Sequence, residues 1–534
     1  MNLIRLLLKS SWLKVSIGAI AGLVSGLSSA GLIALINWTL SSTIAPSSTI
    51  IWSFIGLGIV LFLSTAISQM LTSAVAQQVI VDLRLMLTRQ ILACPLYHLE
   101  AIGAPRLLAT LTEDVEAIAN ASFQISLLGV NVALFIGCLI YLAWLSVPLF
   151  AMLFICIVFG IVTNQWLIFR GRQYLKFARE EQDRLFEHFR TVTQGTKELK
   201  LHALRRREFL RQDLQTSLFT SKQHRITAFN LFAIGGSWGL VSLFIPIGFL
   251  LFIVPRVAAV PVSLIASNIV TFIFMLTPIR GILNSLPELI RANVALSQIE
   301  QLELSLSAPG VELESNKIAP LKWRSLKLQG VTHTYRGERE DTQFTLGPVD
   351  LSFQSGELIF VIGGNGSGKS TFVKLLTGLY TPESGTILLD GQPISDENRE
   401  WYRQQFSVVF ADFYLFDRLL GLDSHQNPQA YLEKLQLQHK VTVTDGSLST
   451  TALSQGQRKR LALLTAYLEN RNIYVFDEWA SDQDPVFKQI FYTQLLPELK
   501  QQGKTVIAIS HDDHYFDCAD RIIKLDYGQV EFDR

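Results

Sequence analysis

A glycine-rich segment at 361–371, VIGGNGSGKST, has the residue types and spacing to bind a polyphosphate. It fits the pattern G-x-x-x-x-G-K-[ST], and the residues around it predict a strand at 357–362 and a helix at 370–379. Glycines let backbone N–H groups curl round phosphate oxygens, and the helix N-terminus adds a positive dipole. We expect the lysine to contact the β- and γ-phosphates of ATP and the first hydroxyl to coordinate Mg²⁺. The predicted ATP ligands in this segment are Gly363, Asn365, Gly366, Ser367, Gly368, Lys369, Ser370 and Thr371.

Two further apolar segments end in side chains that act on phosphates. The predicted strand at 472–478, NIYVFDE, ends in Asp477 and Glu478. We expect Asp477 to hold Mg²⁺ and Glu478 to polarise the attacking water as a general base. The predicted strand at 505–510 precedes His511, which would lie beside the γ-phosphate if the strands are neighbours. A lone histidine after a strand is more often structural, so this role depends on the strand order.

A second helix N-terminus able to bind phosphate is predicted at 453–457, LSQGQ, where Ser454, Gln455, Gly456 and Gln457 open an apolar helical pattern. One chain has no need of a second phosphate-binding terminus. This redundancy indicates that the segment serves a neighbouring subunit.

Composition places these segments in a membrane protein. Of the 534 residues, 49% are hydrophobic and 17% are charged, and the mean hydropathy is +0.31. A soluble protein rarely is so apolar. The net charge of +1 gives no indication of a nucleic-acid partner, and none is expected.

Three long stretches, 15–81, 117–169 and 226–279, contain no Asp, Glu, Lys or Arg except Arg256. One membrane-spanning helix needs about 20 apolar residues, so each stretch holds two spans. The sequence therefore predicts an all-α membrane domain of six helices over 1–304. A polar linker at 305–322 and an α/β nucleotide-binding domain at 323–534 follow.

Positive charges predict the orientation of the spans. Residues 170–225 contain fourteen Lys and Arg, whereas the turns between paired spans have almost none. Charge-rich segments stay on the cytoplasmic side, so we expect both termini and both long connections there. The sequence of residues 1–12 predicts either an amphipathic helix along the membrane or the start of the first span.

In motif order and spacing the sequence resembles the ABC transporter family. The resemblance implies two nucleotide domains closed head to tail, with each ATP between Lys369 of one subunit and Ser454 of the other. One chain has one domain of each kind, so a homodimer is implied. The matching residues are Lys369, LSQGQ at 453–457 as the signature, Asp477, Glu478, SDQD at 481–484 as the D-loop with Ser481 and Asp484, His511 as the switch histidine, and Tyr335 as the residue that stacks on adenine.

A narrower resemblance is to bacterial exporters of cyclic and nonribosomal peptides, the group that includes the pyoverdine and syringomycin transporters. It implies a location in the bacterial inner membrane and an amphiphilic, peptide-like cargo such as a siderophore or a peptide natural product. It is carried by QGTKELKLH at 194–202, VVFADFYLFD at 408–417, LSQGQRKRLALL at 453–464 and FDEWASDQDP at 476–485.

The sequence departs from the ABC family at one loop. The glutamine that ligates Mg²⁺ and water in the family should fall at Ala411, which cannot coordinate a metal. Asp412 is the nearby oxygen donor, and we expect it to act on the metal through water or only to cap a turn. Only 43 positions separate Ala411 from Ser454, which predicts a shortened helical subdomain.

Four functions stay open at this point: peptide export, ATP-dependent sensing without transport, lipid flipping and uptake. Glu478 and His511 favour a hydrolysing machine over a sensor, and six spans exclude a soluble ATPase on nucleic acid. A cargo cavity would be lined by the rare polar residues of the spans, although interhelical hydrogen bonding is the more common role of Asn and Gln. The candidates are Asn131, Asn164, Gln165, Asn268 and Arg280, together with Gln69 and Asn230.

Overall fold

The structure, a computed structural model, describes residues 3–41, 47–258, 260–306, 323–336, 343–422 and 427–534. The described residues form two compact units. The first comprises Met1–Leu83 and Glu113–Ser297, and the second comprises Arg84–Thr112 and Gln298–Arg534. The division at Ser297 lies near the domain boundary that the sequence predicts at 304. The assignment of Arg84–Thr112 to the second unit was not expected.

The first unit consists of long apolar helices. In a bilayer no water is present to bond the backbone, so the backbone N–H and C=O groups of its charge-free stretches must hydrogen-bond to each other. Six helices in the described chain are long and apolar enough to cross a membrane, which confirms the predicted number. The helices before the second long connection are α1 (Leu3–Ser41), α2 (Ser48–Ala93), α3 (Leu96–Ile102), α4 (Ala104–Ala109), α5 (Val115–Leu145) and α6 (Val147–Gln194). Of these, α3 and α4 belong to the second unit. Those that follow are α7 (Thr196–Leu201), α8 (Ala203–Glu208), α9 (Gln215–Gly248), α10 (Val254–Val257) and α11 (Val262–Leu306).

Side-chain hydrogen bonds join the apolar helices of this unit. Asn37 on α1 donates to Thr271 on α11 over 2.7 Å, and both side chains are fully buried. Trp238 on α9 donates to Thr163 on α6 over 2.8 Å. Such contacts contribute to helix association where burial from water cannot. α1 begins at Leu3 as one continuous helix, and its candidate membrane span covers Trp12–Thr39.

The second unit is built on a six-stranded sheet in the order β12-β11-β3-β10-β9-β6. All its pairings are parallel except that of β11 with β12. Neighbouring residues of β3 face opposite cores, with Leu358 and Phe360 in one and Ile359 and Val361 in the other. The strands are β3 (Leu358–Ile362), β6 (Phe406–Val409), β9 (Ile473–Asp477), β10 (Thr505–Ile509), β11 (Arg521–Asp526) and β12 (Gln529–Asp533).

A second sheet, β2-β1-β4-β5, packs in the same unit, and β7 pairs with β8 in a hairpin. These strands are β1 (Ser325–Arg336), β2 (Gln343–Gln354), β4 (Ser384–Leu389), β5 (Gln392–Pro393), β7 (Val443–Thr444) and β8 (Ser447–Leu448). The helices of the unit are α12 (Lys369–Leu376), α13 (Arg399–Arg403), α14 (Pro428–Lys434), α15 (Gln455–Glu469), α16 (Pro485–Ile490) and α17 (Leu496–Gln501). Between Ala411 and Ser454 the described residues contain one helix, α14, of seven residues, as the short spacing predicts.

Candidate functional site

The strand order brings the predicted catalytic segments to one edge of the sheet. β10 lies between β3 and β9 and is parallel to both. The carboxyl ends of these strands therefore meet, and each is followed by a segment that the sequence analysis selected. β3 leads into the phosphate loop, β9 ends at Asp477, and β10 leads to His511.

The phosphate loop curls because its glycines adopt a backbone that other residues avoid. Gly363 has φ of +154°, and a Cβ there would lie 2.2 Å from the carbonyl oxygen of Leu525. Gly368 has φ of +98° and precedes the first residue of α12. The loop therefore requires glycine at these positions, and α12 presents its N-terminal N–H groups to the opening. Ser370 is exposed at this helix end.

Lys369 is held inside the loop. Its Nζ donates to the carbonyl oxygens of Gly363 and Gly364, at 2.9 and 2.8 Å. The same Nζ lies 3.9 Å from the Oε1 of Glu478. Burial lowers the pKa of Lys369, while the charges of Glu478 and Asp477 oppose that shift. A buried ammonium next to carboxylates is in place to receive phosphate oxygens.

Asp477 is a buried carboxylate with spare coordinating capacity. Its side chain is 3% exposed, and its Oδ1 has no hydrogen-bond partner. Burial raises its pKa to about 6, and the charge of Glu478 adds to the rise. The backbone N–H of Ala411 lowers the pKa, whereas the charge of Asp412 raises it. An unpartnered buried oxygen near the exposed hydroxyl end of α12 suits a hard cation such as Mg²⁺.

Glu478 follows β9 in a left-handed backbone conformation, with φ of 48° and ψ of 35°. Few residues other than glycine adopt this conformation, which is found at functional sites more often than elsewhere. The Oε1 of Glu478 lies 3.1 Å from the Nε2 of His511. The structure thus brings Lys369, Glu478 and His511 together around one opening.

Two further residues that the sequence predicts for this site are Tyr335 and Asp412. The backbone of Tyr335 belongs to β1 and pairs with Phe344 of β2. The Tyr335 side chain is outside the described residues. Asp412 is exposed, and it is close enough to Asp477 to affect its pKa.

The signature segment begins α15 with a capping box. Ser454 Oγ accepts from the backbone N–H of Gln457, and the Gln457 side chain accepts from the Ser454 N–H. A Cβ at Gly456 would lie 2.7 Å from the carbonyl oxygen of Asp482, so glycine is required for contact with the D-loop. Gln455 begins the helix after this cap.

Lys459, which was not predicted as a site residue, connects α15 to Glu478. The side chain of Lys459 on α15 is 3% exposed. Its Nζ donates to the backbone carbonyl of Glu478 at 2.9 Å and to Ser481 Oγ at 2.8 Å, and it pairs with Asp482 at 2.7 Å. Three acceptors satisfy the three ammonium hydrogens, which is the condition for burying a lysine. Its sequence neighbours are Arg458 and Arg460, so nothing in the local sequence distinguishes it.

Trp479, which directly follows Glu478, also packs against α15. Its indole N–H donates to the carbonyl of Lys459 over 2.8 Å, and its ring stacks on Phe491 with centroids 4.3 Å apart. In the D-loop, Asp484 accepts from the backbone N–H of Phe487 and pairs with Arg460. The Phe487 N–H lowers the pKa of Asp484, and Arg460 contributes. These contacts fix the turn from Glu478 to Asp484.

The membrane candidates separate into two groups. Asn164, Gln165 and Arg280 line a cavity of about 780 Å³ between α6, α9 and α11. Asn131 lies against Gly281, and Asn268 is fully buried with its Nδ2 donating to Leu264 of its own helix. Neither residue lines this cavity: Asn131 lies against α11, and Asn268 bonds within its own helix. Two further candidates, Gln69 and Asn230, are exposed.

Six candidate spans beside a sheet-based ATP site define a membrane-embedded ATPase. The ABC transporter transmembrane region family matches residues 12–278, and the ABC transporter family matches residues 346–481. The chain therefore belongs to the ABC transporter family. It is a multi-pass membrane protein of the exporter type, with ATP hydrolysis coupled to transport.

The relatives share different parts of the chain. The ATP-binding protein SyrD of Pseudomonas syringae pv. syringae is 35% identical over 527 residues, which are 96% of this chain and 93% of SyrD. The alpha-hemolysin translocation ATP-binding protein HlyB of Escherichia coli is 32% identical over 206 residues, 36% of this chain and 29% of HlyB. The energy-coupling factor transporter ATP-binding protein EcfA1 of Mycoplasmoides gallisepticum is 32% identical over 216 residues, 38% of this chain and 76% of EcfA1.

Proposed function

We propose that the chain works as a homodimer in the bacterial inner membrane and exports a cyclic or nonribosomal-type peptide. One observation carries the proposal: similarity to SyrD runs through both halves of the chain, over 96% of its length. The similarity to HlyB is confined to 206 residues. The similarity to HlyB covers 36% of this chain, whereas the similarity to SyrD includes the membrane half, where we place cargo selection. The nucleotide domain and both termini lie in the cytoplasm in this proposal.

ATP binds with its phosphates in the loop around Lys369 and its adenine against Tyr335. Mg²⁺ is held by Ser370 and Asp477, whose buried Oδ1 has no other partner. The bound cation supplies positive charge that neutralises the phosphate oxygens. Lys369 contributes a second positive charge from inside the loop. Asp412 orders a water of the metal shell, because its charge already acts on Asp477.

Glu478 polarises the attacking water, and His511 orients the Glu478 carboxylate, whose Oε1 lies 3.1 Å from His511 Nε2. In the Glu478→Gln variant the amide keeps the shape but cannot accept the proton. We expect ATP binding to be unchanged and hydrolysis to fall about 10²–10⁴-fold. Single-turnover hydrolysis and binding of a fluorescent ATP analogue measure the two effects. Near-normal turnover would show that another group is the base.

Transport is tested in reconstituted vesicles whose nucleotide domains face outward. An amphiphilic cyclic peptide should accumulate inside them when ATP and Mg²⁺ are added, and the Glu478→Gln variant is the matched control. If the vesicles move only phospholipid, the chain is a lipid flippase. If peptide leaves preloaded vesicles instead, the chain is an importer.

A further inference from the structure

The cavity between α6, α9 and α11 has only positive charges on its wall. Its charged lining residues are Arg172 of α6 and Arg280 of α11. Within the described residues, neither guanidinium takes part in an ion pair or hydrogen bond. The cavity, of about 780 Å³, is large enough for a substantial part of an amphiphilic molecule.

The surrounding sequence holds no acid that would neutralise these charges. Residues 117–179 and 214–287 contain no Asp or Glu. The next acid on α11, Glu288, is paired with Arg291 over 3.2 Å. A second copy of the chain would bring the same acid-free helices to the cavity. Arg172 and Arg280 are both exposed to the cavity and have no acid to pair with in the described part of the chain, so a negative group is the expected occupant.

A neutral acceptor lies beside these charges. Asn164 lines the cavity, and its Oδ1 is buried with no hydrogen-bond partner. Glycines on α9 make room for it, because a Cβ at Gly239 would lie 2.9 Å from Asn164 Nδ2. Gly236 has open space where its side chain would be and also lines the cavity. A cargo that offers an N–H as well as an anion would satisfy both features.

We propose that this cavity selects amphiphilic peptides that carry a carboxylate, with Arg172 and Arg280 as its counterions and Asn164 accepting from a peptide N–H. The inference rests on the proposed peptide export and adds the charge of the cargo. An anionic phospholipid offers the same oxyanion chemistry through its phosphate. A peptide is favoured because its backbone N–H groups provide the donor that Asn164 Oδ1 lacks, next to the side-chain carboxylate.

The test uses two amphiphilic cyclic peptides that differ only by Asp or Asn at one position. Their binding to the full-length protein in neutral phosphatidylcholine nanodiscs is measured by fluorescence anisotropy. The Asp peptide should bind roughly tenfold more tightly, the size of one charge-assisted contact. Arg172→Gln and Arg280→Gln should each reduce this preference, and the double variant should abolish it without weakening the Asn peptide.

Two further variants keep the result interpretable. Arg280→Lys should retain part of the preference, because the charge stays while the bidentate geometry is lost. Arg170→Gln is the matched control, since Arg170 lies two residues from Arg172 but packs over Trp166 at 5.1 Å and does not line the cavity. Thermal unfolding of each variant shows whether it is folded.

The outcomes separate this proposal from peptide export itself. If both peptides bind and are transported equally, export stands and the charge selection is overturned. If the preference survives in the Arg172→Gln/Arg280→Gln double variant, the cavity is not the site. If neither peptide binds but nanodiscs with phosphatidylglycerol stimulate ATPase in an Arg280-dependent way, the oxyanion is a lipid headgroup and peptide export fails.

Discussion

The two long connections between membrane helices have opposite structural roles. The first, Arg84–Thr112, belongs to the same compact unit as the nucleotide-binding sheet. The second, at 170–225, belongs to the unit of the membrane helices. Positive charge in the sequence predicts the cytoplasmic side for both connections. Their charge therefore does not determine which of them docks on the nucleotide domain of its own chain.

Contacts of the first connection explain its docking. The carboxylate of Glu100 accepts from Lys374 Nζ at 2.7 Å and from the hydroxyl of Tyr380. The ring of Tyr97 meets the edges of His333 and Tyr380, with centroids 6.4 Å apart in each pair. Lys374 lies on α12, the helix that begins at the phosphate loop. The first connection is thus in contact with the helix that holds ATP in its own chain.

The second connection instead ends in exposed apolar side chains. After α6 ends at Gln194, α7 and α8 form its tip, where Leu201 is 78% exposed and Leu204 is 74% exposed. Leucines together on a charged, exposed tip are typical of a protein contact. In the proposed homodimer we expect this tip to contact the partner. One chain would then serve its own ATP site through the first connection and the other site through the second.

The largest effect should come from separating the two halves of a shared ATP site. Lys369→Ala and Ser454→Arg should each lower hydrolysis by about 10²–10³-fold. The first removes a positive charge that stabilises the phosphates, and the second blocks access of ATP to the N-terminus of α15, in each case at both sites of a dimer. Mixing the two variants should restore part of the activity, since one site of a mixed dimer keeps both residues. Differential tags and ATPase assays on the purified mixed dimer measure this. Proven mixing without recovery would contradict the trans arrangement.

A smaller effect is expected at the tip of the second connection. Leu201→Gln with Leu204→Gln should lower hydrolysis roughly tenfold by weakening the dimer contact. Since both side chains are exposed, the unfolding free energy should change by no more than about 0.5 kcal/mol. Leu201→Met with Leu204→Met keeps the apolar surface and is the control. Equal activity in both double variants would show that the tip has no partner.

Breaking the first connection should have an effect of about threefold. Glu100→Gln removes the ion pair with Lys374, which is partly exposed and therefore weak. We expect cargo-stimulated hydrolysis to fall while basal hydrolysis changes little. Glu531→Gln breaks the exposed Lys524–Glu531 pair, at 2.7 Å, between β11 and β12 and serves as the control. Loss of stimulation in both variants would assign the effect to general destabilisation.

The smallest effect concerns Ala411, where the family has glutamine. Asp412→Ala should raise the Mg²⁺ concentration for half-maximal hydrolysis about twofold at pH 8, because one water-mediated contact is lost. Ala411→Gln in that background should lower it again. An unchanged Mg²⁺ dependence would leave Asp412 without a metal role, and the loop would act through the Ala411 N–H alone.

The pH dependence of hydrolysis tests the electrostatic effect of Asp412 on Asp477. The pKa of Asp477 is raised to about 6, so below that pH a proton competes with Mg²⁺. The Mg²⁺ requirement should therefore rise as pH falls through 6, by roughly tenfold per unit. Asp412 raises this pKa, so Asp412→Ala should move the acidic limb to lower pH. A fixed acidic limb would exclude the electrostatic contact.

The sequence predicted those parts of the site that depend on local order. Strands at 357–362, 472–478 and 505–510 agree within one residue at each end with β3, β9 and β10. Each is a short apolar run bounded by a glycine or by polar residues, so its limits are visible locally. Lys459 could not be assigned, because its acceptors lie about 20 residues away. Nor could the docking of Glu100, whose partner Lys374 is 274 residues distant in the chain.

The buried Lys459 has a consequence for cooperativity. It fastens the signature helix to the backbone carbonyl of Glu478 within one chain. In the proposed homodimer that helix touches the ATP of one site, while Glu478 polarises the attacking water at the other. A shift of α15 on binding one nucleotide would displace the catalytic acid at the second. The two sites would then turn over in dependence on each other, and Lys459→Met should bring the Hill coefficient of hydrolysis towards one.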